Sequence, residues 1–198
     1  MEVIMNGHDA IARFRREQGL PADGGEDRWI DWTRMFGLPV PIPNASVRRP
    51  LVPYHDLHHI LSGHGTDELG EAFVSAWTMG TGGRQPFWGH LYDLGAVVPG
   101  LLRAPHATFA AFLRGRRARN VYAHPVDELL DREEAALFDI AGVDRDCTEV
   151  PRARLADVLA FAALFPQIMI FWLIPLAPTA VAIVFAIDLL TGRLEPAR

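Results

Sequence analysis

The chain is poor in cysteine and short of basic charge, and both shortages narrow what it can be. Cys147 is the single cysteine in 198 residues, so no internal disulfide can form and no oxidising compartment is implied. Nineteen basic side chains face 24 acidic ones, for a formal net charge of -5. A nucleic-acid partner wants a clear basic surface, so none is expected. The N-terminal stretch MEVIMNGHDAIARFRREQG lacks the positive-then-apolar order of a secretory signal. Gly80, Gly82 and Gly83 are followed by no Lys-Ser/Thr pair, so they read as a helix terminator and hinge rather than a phosphate loop. Alternating runs of strand period are missing as well. The expected fold class is therefore all-α. Residues 1–150 read as a predominantly antiparallel helical, metal-binding domain, and residues 151–198 as a hydrophobic C-terminal helical appendage.

What is present concentrates in one stretch, Tyr54 to Glu71, YHDLHHILSGHGTDELGE. On an α-helix His55 and His59 lie one turn apart on the same face, with Asp56 on its flank. Gly63 and Gly65 can reverse the chain, and Thr66 is suited to cap a returning helix. That helix would bring Glu71 opposite the two imidazoles. Two nitrogens and two carboxylates from an antiparallel helix pair suit a divalent ion, so His55, Asp56, His59 and Glu71 are the candidate ligands. The zincin pattern HExxH is not met, because Asp56 follows the first histidine. The competing reading is an ordinary hydrogen-bonded patch of histidines and acids. His58 points about 100° away from His59. His64 lies in the loop, where it is a ligand, a supporting group or solvent-exposed. His90 and Asp93, three residues apart, form a rival pair that reads chiefly as satisfied polar groups near a cavity.

His55, Asp56 and His59, followed by eleven residues and then Glu71, reproduce the pattern HDxxH(x)11E. In this the chain resembles the family of the fourth-named protein of the coenzyme Q (ubiquinone) biosynthesis complex and its bacterial relatives. LSGHGTDELGEAF resembles the family's loop and second helix. RGRRARNVYAHPVDELLDREEAALFDIAGV, Arg114 to Val143, resembles the basic-to-acidic stretch with which members finish, so that the likeness covers roughly residues 28 to 143. The resemblance implies metal ligation by His55, Asp56, His59 and Glu71. It also implies oxidative decarboxylation at ring carbon 1 of a polyprenylated 4-hydroxybenzoate-type precursor, and organisation of quinone-biosynthetic proteins at a membrane.

Elsewhere, Asn6 or Asp9 can begin a short helix with Arg13, Arg15 and Arg16 facing outwards. DRWIDWTRMFGLP reads as a helix with Trp29, Ile30, Trp32, Met35 and Phe36 in a stripe. Pro39, Pro41, Pro43, Pro50 and Pro53 force an extended or turned segment up to the motif helix. Arg48 and Arg49 read as surface charge, with a substrate carboxylate as the alternative partner. Phe87 to Leu102 is an apolar helix kinked or ended at Pro99-Gly100, and Arg114 to Arg119 complement a helix dipole or meet anionic headgroups. Ile168 to Ile187 are twenty residues without a charge, long enough to span a membrane. The opposing reading is a core or dimer-interface element broken at Pro175 and Pro178.

The expected cofactor is a divalent metal ion, zinc or iron. The expected partners are a prenylated quinone precursor or similar apolar lipid, quinone-biosynthetic proteins, a membrane on its cytoplasmic side and a second copy of the chain. Two other readings stay open: a non-catalytic lipid-binding scaffold with a structural metal, and a metal-dependent hydrolase acting on another apolar substrate.

Overall fold

The computed structural model describes residues 5–25, 30–43, 48–82, 85–145, 149–174 and 190–191. Trp29, Gly83, Cys147 and residues 175–187 of the charge-free run lie outside the described residues. Among the described residues the chain is predominantly helical, with one two-stranded sheet. The order is α1 (Gly7–Glu17), β1 (Ile30–Met35), β2 (Leu38–Pro43), α2 (Val52–Ser62), α3 (Glu68–Thr81), α4 (Phe87–Ala96) and α5 (Val98–Arg103). Then follow α6 (Pro105–Gly115), α7 (Val126–Leu130), α8 (Glu134–Ala141) and α9 (Leu155–Ala162). After a turn at Ala163 the last helix continues, so that Leu155–Ile174 forms one apolar element.

Asn6 starts α1 with a reciprocal cap: its side chain accepts from Asp9 N, and Asp9 accepts from the Asn6 N–H. Of the three arginines expected to face outwards, Arg15 does the opposite. It is buried, because its guanidinium finds the Asp56 carboxylate beneath it.

The helix expected over DRWIDWTRMFGLP is instead the first strand of a hairpin. β1 pairs antiparallel with β2 in the register Ile30↔Pro43 through Met35↔Leu38. Ile30, Trp32 and Thr33 are aromatic or β-branched and suit a strand. Phe36 and Gly37 both take positive φ, 55° and 77°, which is the two-residue turn that follows the twist of a hairpin. Prolines recur at every second position of β2, so Leu38, Val40 and Ile42 keep the amide groups for β1 while Pro39, Pro41 and Pro43 line the free edge. That alternation was the overlooked strand signal.

α3 is the partition of the molecule. Its Trp77 packs with Leu57, Leu61, Val121, Leu129 and Leu137 in one core cluster. Its Ala76 and Met79 pack with Leu94, Val97, Phe112, Leu164 and Ile168 in the other. Gly80 does not terminate α3, as the sequence suggested; it lies one residue inside it, where α6 crosses. A Cβ on Gly80 would collide with the Phe112 carbonyl, and one on Gly115 with the Trp77 carbonyl. The glycines let the two backbones touch.

Leu155–Ile174 has a mean hydropathy of 2.0 and is long and apolar enough to cross a membrane. It starts earlier than the charge-free run: Asp157 in its first turn accepts from Arg154 N at 3.0 Å and pairs with Arg116 at 3.2 Å and Arg117 at 3.0 Å. One face, with Leu164 and Ile168, is buried against α4 and α6. The other leaves Leu159, Met169, Ile170 and Leu173 exposed.

Candidate metal centre

α2 begins with Pro53 in its first turn and ends at Gly63, whose φ of 72° is the left-handed cap that turns the chain out of the helix. Asp67, one residue later than expected, caps α3 by accepting from Gly70 N at 2.6 Å. Thr66 bonds Gln18, the residue that follows α1, instead, through its hydroxyl at 3.2 Å. Gly70 packs on the Gly65 carbonyl, where a Cβ would not fit, and this close approach folds α3 back beside α2.

The reversal brings His55, His59 and Glu71 together, with one ligand atom from each lying within 4.8 Å of the others. His55 Nε2 is 3.1 Å from Glu71 Oε2 and 3.2 Å from His59 Nε2, and His59 Nε2 is 3.5 Å from Glu71 Oε1. His59 is buried, stacked on Phe14 at 5.3 Å, whereas His55 and Glu71 sit at a half-exposed rim. His59 Nδ1 donates to the His64 carbonyl at 3.0 Å. A carbonyl only accepts, so the neutral His59 ring carries its proton on Nδ1 and presents the Nε2 lone pair to the cluster. This is the arrangement of a metal-binding imidazole held by a backbone oxygen.

Two acceptors, Glu71 Oε2 and the His59 Nε2 lone pair, thus converge on His55 Nε2, which in the metal-free protein must donate. Burial alone would lower the His55 pKa, but the Glu71 carboxylate outweighs it and pushes it up to about 9. For Glu71, burial is likewise overcome, by His55 and His59, and the carboxyl is held well below its usual range. A proton therefore stands where a cation fits. Metal binding must expel it. Since the His55 pKa is raised, the proton is retained at neutral pH, stabilises the metal-free cluster, and leaves only as pH rises through about 9. We expect metal affinity to rise by about tenfold per pH unit between roughly pH 6 and 9, then flatten, with about one proton released per ion at neutral pH. Calorimetric titration in buffers of different ionisation enthalpy measures this, and an affinity constant across that window would rule out the proton-for-metal exchange.

The fourth motif residue is placed differently. Asp56 is buried, and its Oδ2 receives Arg15 Nε at 2.8 Å and Nη2 at 2.6 Å, so this carboxylate ties α1 to α2. It is not in the group that clusters around His55. His58 is enclosed between Trp77 and Tyr122, its ring 5.7 and 5.0 Å from theirs, and burial pushes its pKa down to about 3, which keeps it neutral. His64 contributes its carbonyl rather than its ring. Arg48 is paired with Asp31 at 2.7 Å.

The rival pair is split. His90 Nε2 bonds Gln167 at 2.9 Å, while Asp93 is buried and accepts from Gln85 Nε2. Burial raises the Asp93 pKa to about 7 and Glu71 adds to the rise; His55, the Gln85 bond and the nearby Ser75 hydroxyl oppose it. Tyr122 is held in its neutral form by burial and by the field of Asp93. Ser75 and Thr78 follow Glu71 along the same stripe of α3, and both hydroxyls are enclosed without a well-formed hydrogen bond. The polar surroundings of the triad thus extend to Asp93, Gln85 and Tyr122. Only Asp93 among these stood out in the sequence, because the others come from segments without a motif.

Fold and site together define a predominantly helical protein with a His–His–Glu cluster able to coordinate a divalent cation. No protein-family model, no curated protein and no solved structure matches the chain.

Proposed function

We propose that the protein is a divalent-metal enzyme acting on an apolar, ring-bearing acid, with oxidative decarboxylation of a polyprenylated 4-hydroxybenzoate-type precursor as its reaction. The observation that carries this reading is the convergence of two imidazoles and one carboxylate at a half-exposed rim. Three protein ligands leave coordination positions free for substrate, and two histidines with one carboxylate are the donor set of catalytic zinc and non-haem iron sites. Bound there, iron would supply redox chemistry with dioxygen and zinc Lewis acidity only. His55, His59 and Glu71 hold the ion, while His64 and Phe14 fix the orientation of His59. Asp93, with a pKa near 7, can hold or pass a proton beside the triad.

The test is a product assay. Iron-loaded protein given a prenylated hydroxybenzoate, dioxygen and a two-electron reductant should release carbon dioxide and yield the ring hydroxylated at the vacated carbon, the second oxygen atom leaving as water. Two products whose masses sum to the substrate plus one water would point to hydrolysis instead, and intact substrate with a fully occupied site would leave the metal a structural role joining α2 to α3.

Such a substrate would arrive from a bilayer, and the outward face of Leu155–Ile174 supports membrane association. Leu159→Glu combined with Ile170→Glu changes only exposed positions. We expect this variant to stay folded and to lose co-sedimentation with anionic phospholipid vesicles by about tenfold or more, since charge on a lipid-facing helix costs about 2.5–3.5 kcal/mol per residue. Undiminished binding would place the contact elsewhere.

A further inference from the structure

A second site lies behind the metal centre. A cavity of about 370 Å³ opens between α1, the loop joining α2 to α3, α6 and α8. It shares one wall, His59, with the metal triad, but neither His55 nor Glu71 lines it. Three guanidiniums border it: Arg13, Arg114 and Arg145. They face two carboxylates, and these are already used. Glu134 takes Arg13 in a two-pronged bond at 3.1 and 2.8 Å and also accepts from Arg145. Glu17 stands 3.9 Å from Arg13 Nε. Arg114 meets no carboxylate among the described residues; its Nη2 donates to the neutral Ser62 carbonyl at 3.1 Å. His64, on the same wall, has its Nε2 enclosed without a hydrogen-bond partner.

We propose that this cavity binds a compact oxyanion, a phosphate or a small carboxylate, with Arg114 as its main charge partner. One cation in excess borders a concave space of ligand size. A guanidinium held only by a neutral carbonyl gains most from an oxyanion, because charge-assisted, forked hydrogen bonds are about twice as strong as neutral ones. Arg145 lies 4.7 Å over the Phe138 ring and is tied to Glu134, so it borders the mouth as a paired cation and leaves Arg114 as the one in excess. His55 and Glu71 do not line the cavity, so the proposal stands whether or not the triad holds a metal.

The test uses the full chain, metal-free and metal-loaded, titrated by calorimetry with inorganic phosphate and with acetate. Saturable binding of either in both forms, weakened by added sodium chloride, is expected; the tighter of the two tells a phosphate from a carboxylate source. Arg114→Gln should weaken it by at least about tenfold and Arg114→Lys by less, with metal content unchanged. If Arg114→Gln fails to fold, Arg145→Gln, at a half-exposed side chain, should weaken binding severalfold. The proposal is overturned by absence of saturable binding at millimolar concentrations, or by affinity equal to wild type in folded Arg114→Gln. Binding only in the metal-loaded form would also overturn it, by assigning the anion to the ion itself.

Discussion

His59→Ala and Glu71→Ala each empty the metal site. Each residue of a three-ligand set supplies a third of the protein's donors, and both accept the proton of His55 Nε2 in the metal-free cluster. Loss of supporting residues around a metal typically weakens affinity by about 10–100-fold, so loss of a ligand should exceed about a hundredfold. Elemental analysis of protein prepared without chelator gives the answer. Iron present in the wild type and missing from both variants supports redox chemistry; zinc with the same pattern supports Lewis-acid chemistry or a structural role. Metal retained at wild-type stoichiometry in both variants would sink the site. His58→Ala is the matched control: it removes a neutral, buried imidazole packed on Trp77 and leaves the ligand set untouched.

Arg15→Ala should cost the fold about 3–5 kcal/mol, because it strands the Asp56 carboxylate in the interior without its counter-ion. Asp56→Ala strands Arg15 and should cost a similar amount. The double variant should be more stable than the sum of the two, since neither charge is then left alone. Chemical denaturation measures all three. The metal content of Asp56→Asn separates anchoring from ligation. If Asp56 acts by holding α1 against α2, this variant keeps its metal within about tenfold of wild type. If it empties the site as His59→Ala does, Asp56 is a ligand, as the family pattern implies, and its bond to Arg15 gives way when the ion binds.

The metal triad was legible because its signal is local. His55 and His59 are spaced by one helical turn, and the glycines after Ser62 permit a reversal that returns Glu71 to the same place. Some helix boundaries followed for the same reason: Asn6 starts α1, and the apolar helix breaks at Val97, two residues before Pro99, which lies in the first turn of α5. The hairpin was missed where two local signals competed: Trp29, Ile30, Trp32 and Met35 fit a helical stripe, and the alternate prolines that specify an edge strand lie in the partner segment. Arg15 was missed because nothing within a helical turn of it reveals that Asp56, forty-one residues away, will lie underneath.

Composition and spacing by themselves determined a mainly helical chain, a histidine-rich motif turned back on a glutamate, and an apolar C-terminal stretch. These depend on interactions within a few turns, which the order of residues states directly. Only the tertiary structure decided that Asp56 faces an arginine rather than the cluster, that Asp93 and Tyr122 stand near the triad, and that three arginines from α1, α6 and the segment after α8 border one cavity. Such pairings depend on which helices cross. Here the crossing of α3 and α6 is set by two glycines, Gly80 and Gly115, whose missing side chains matter only once their partners are in place.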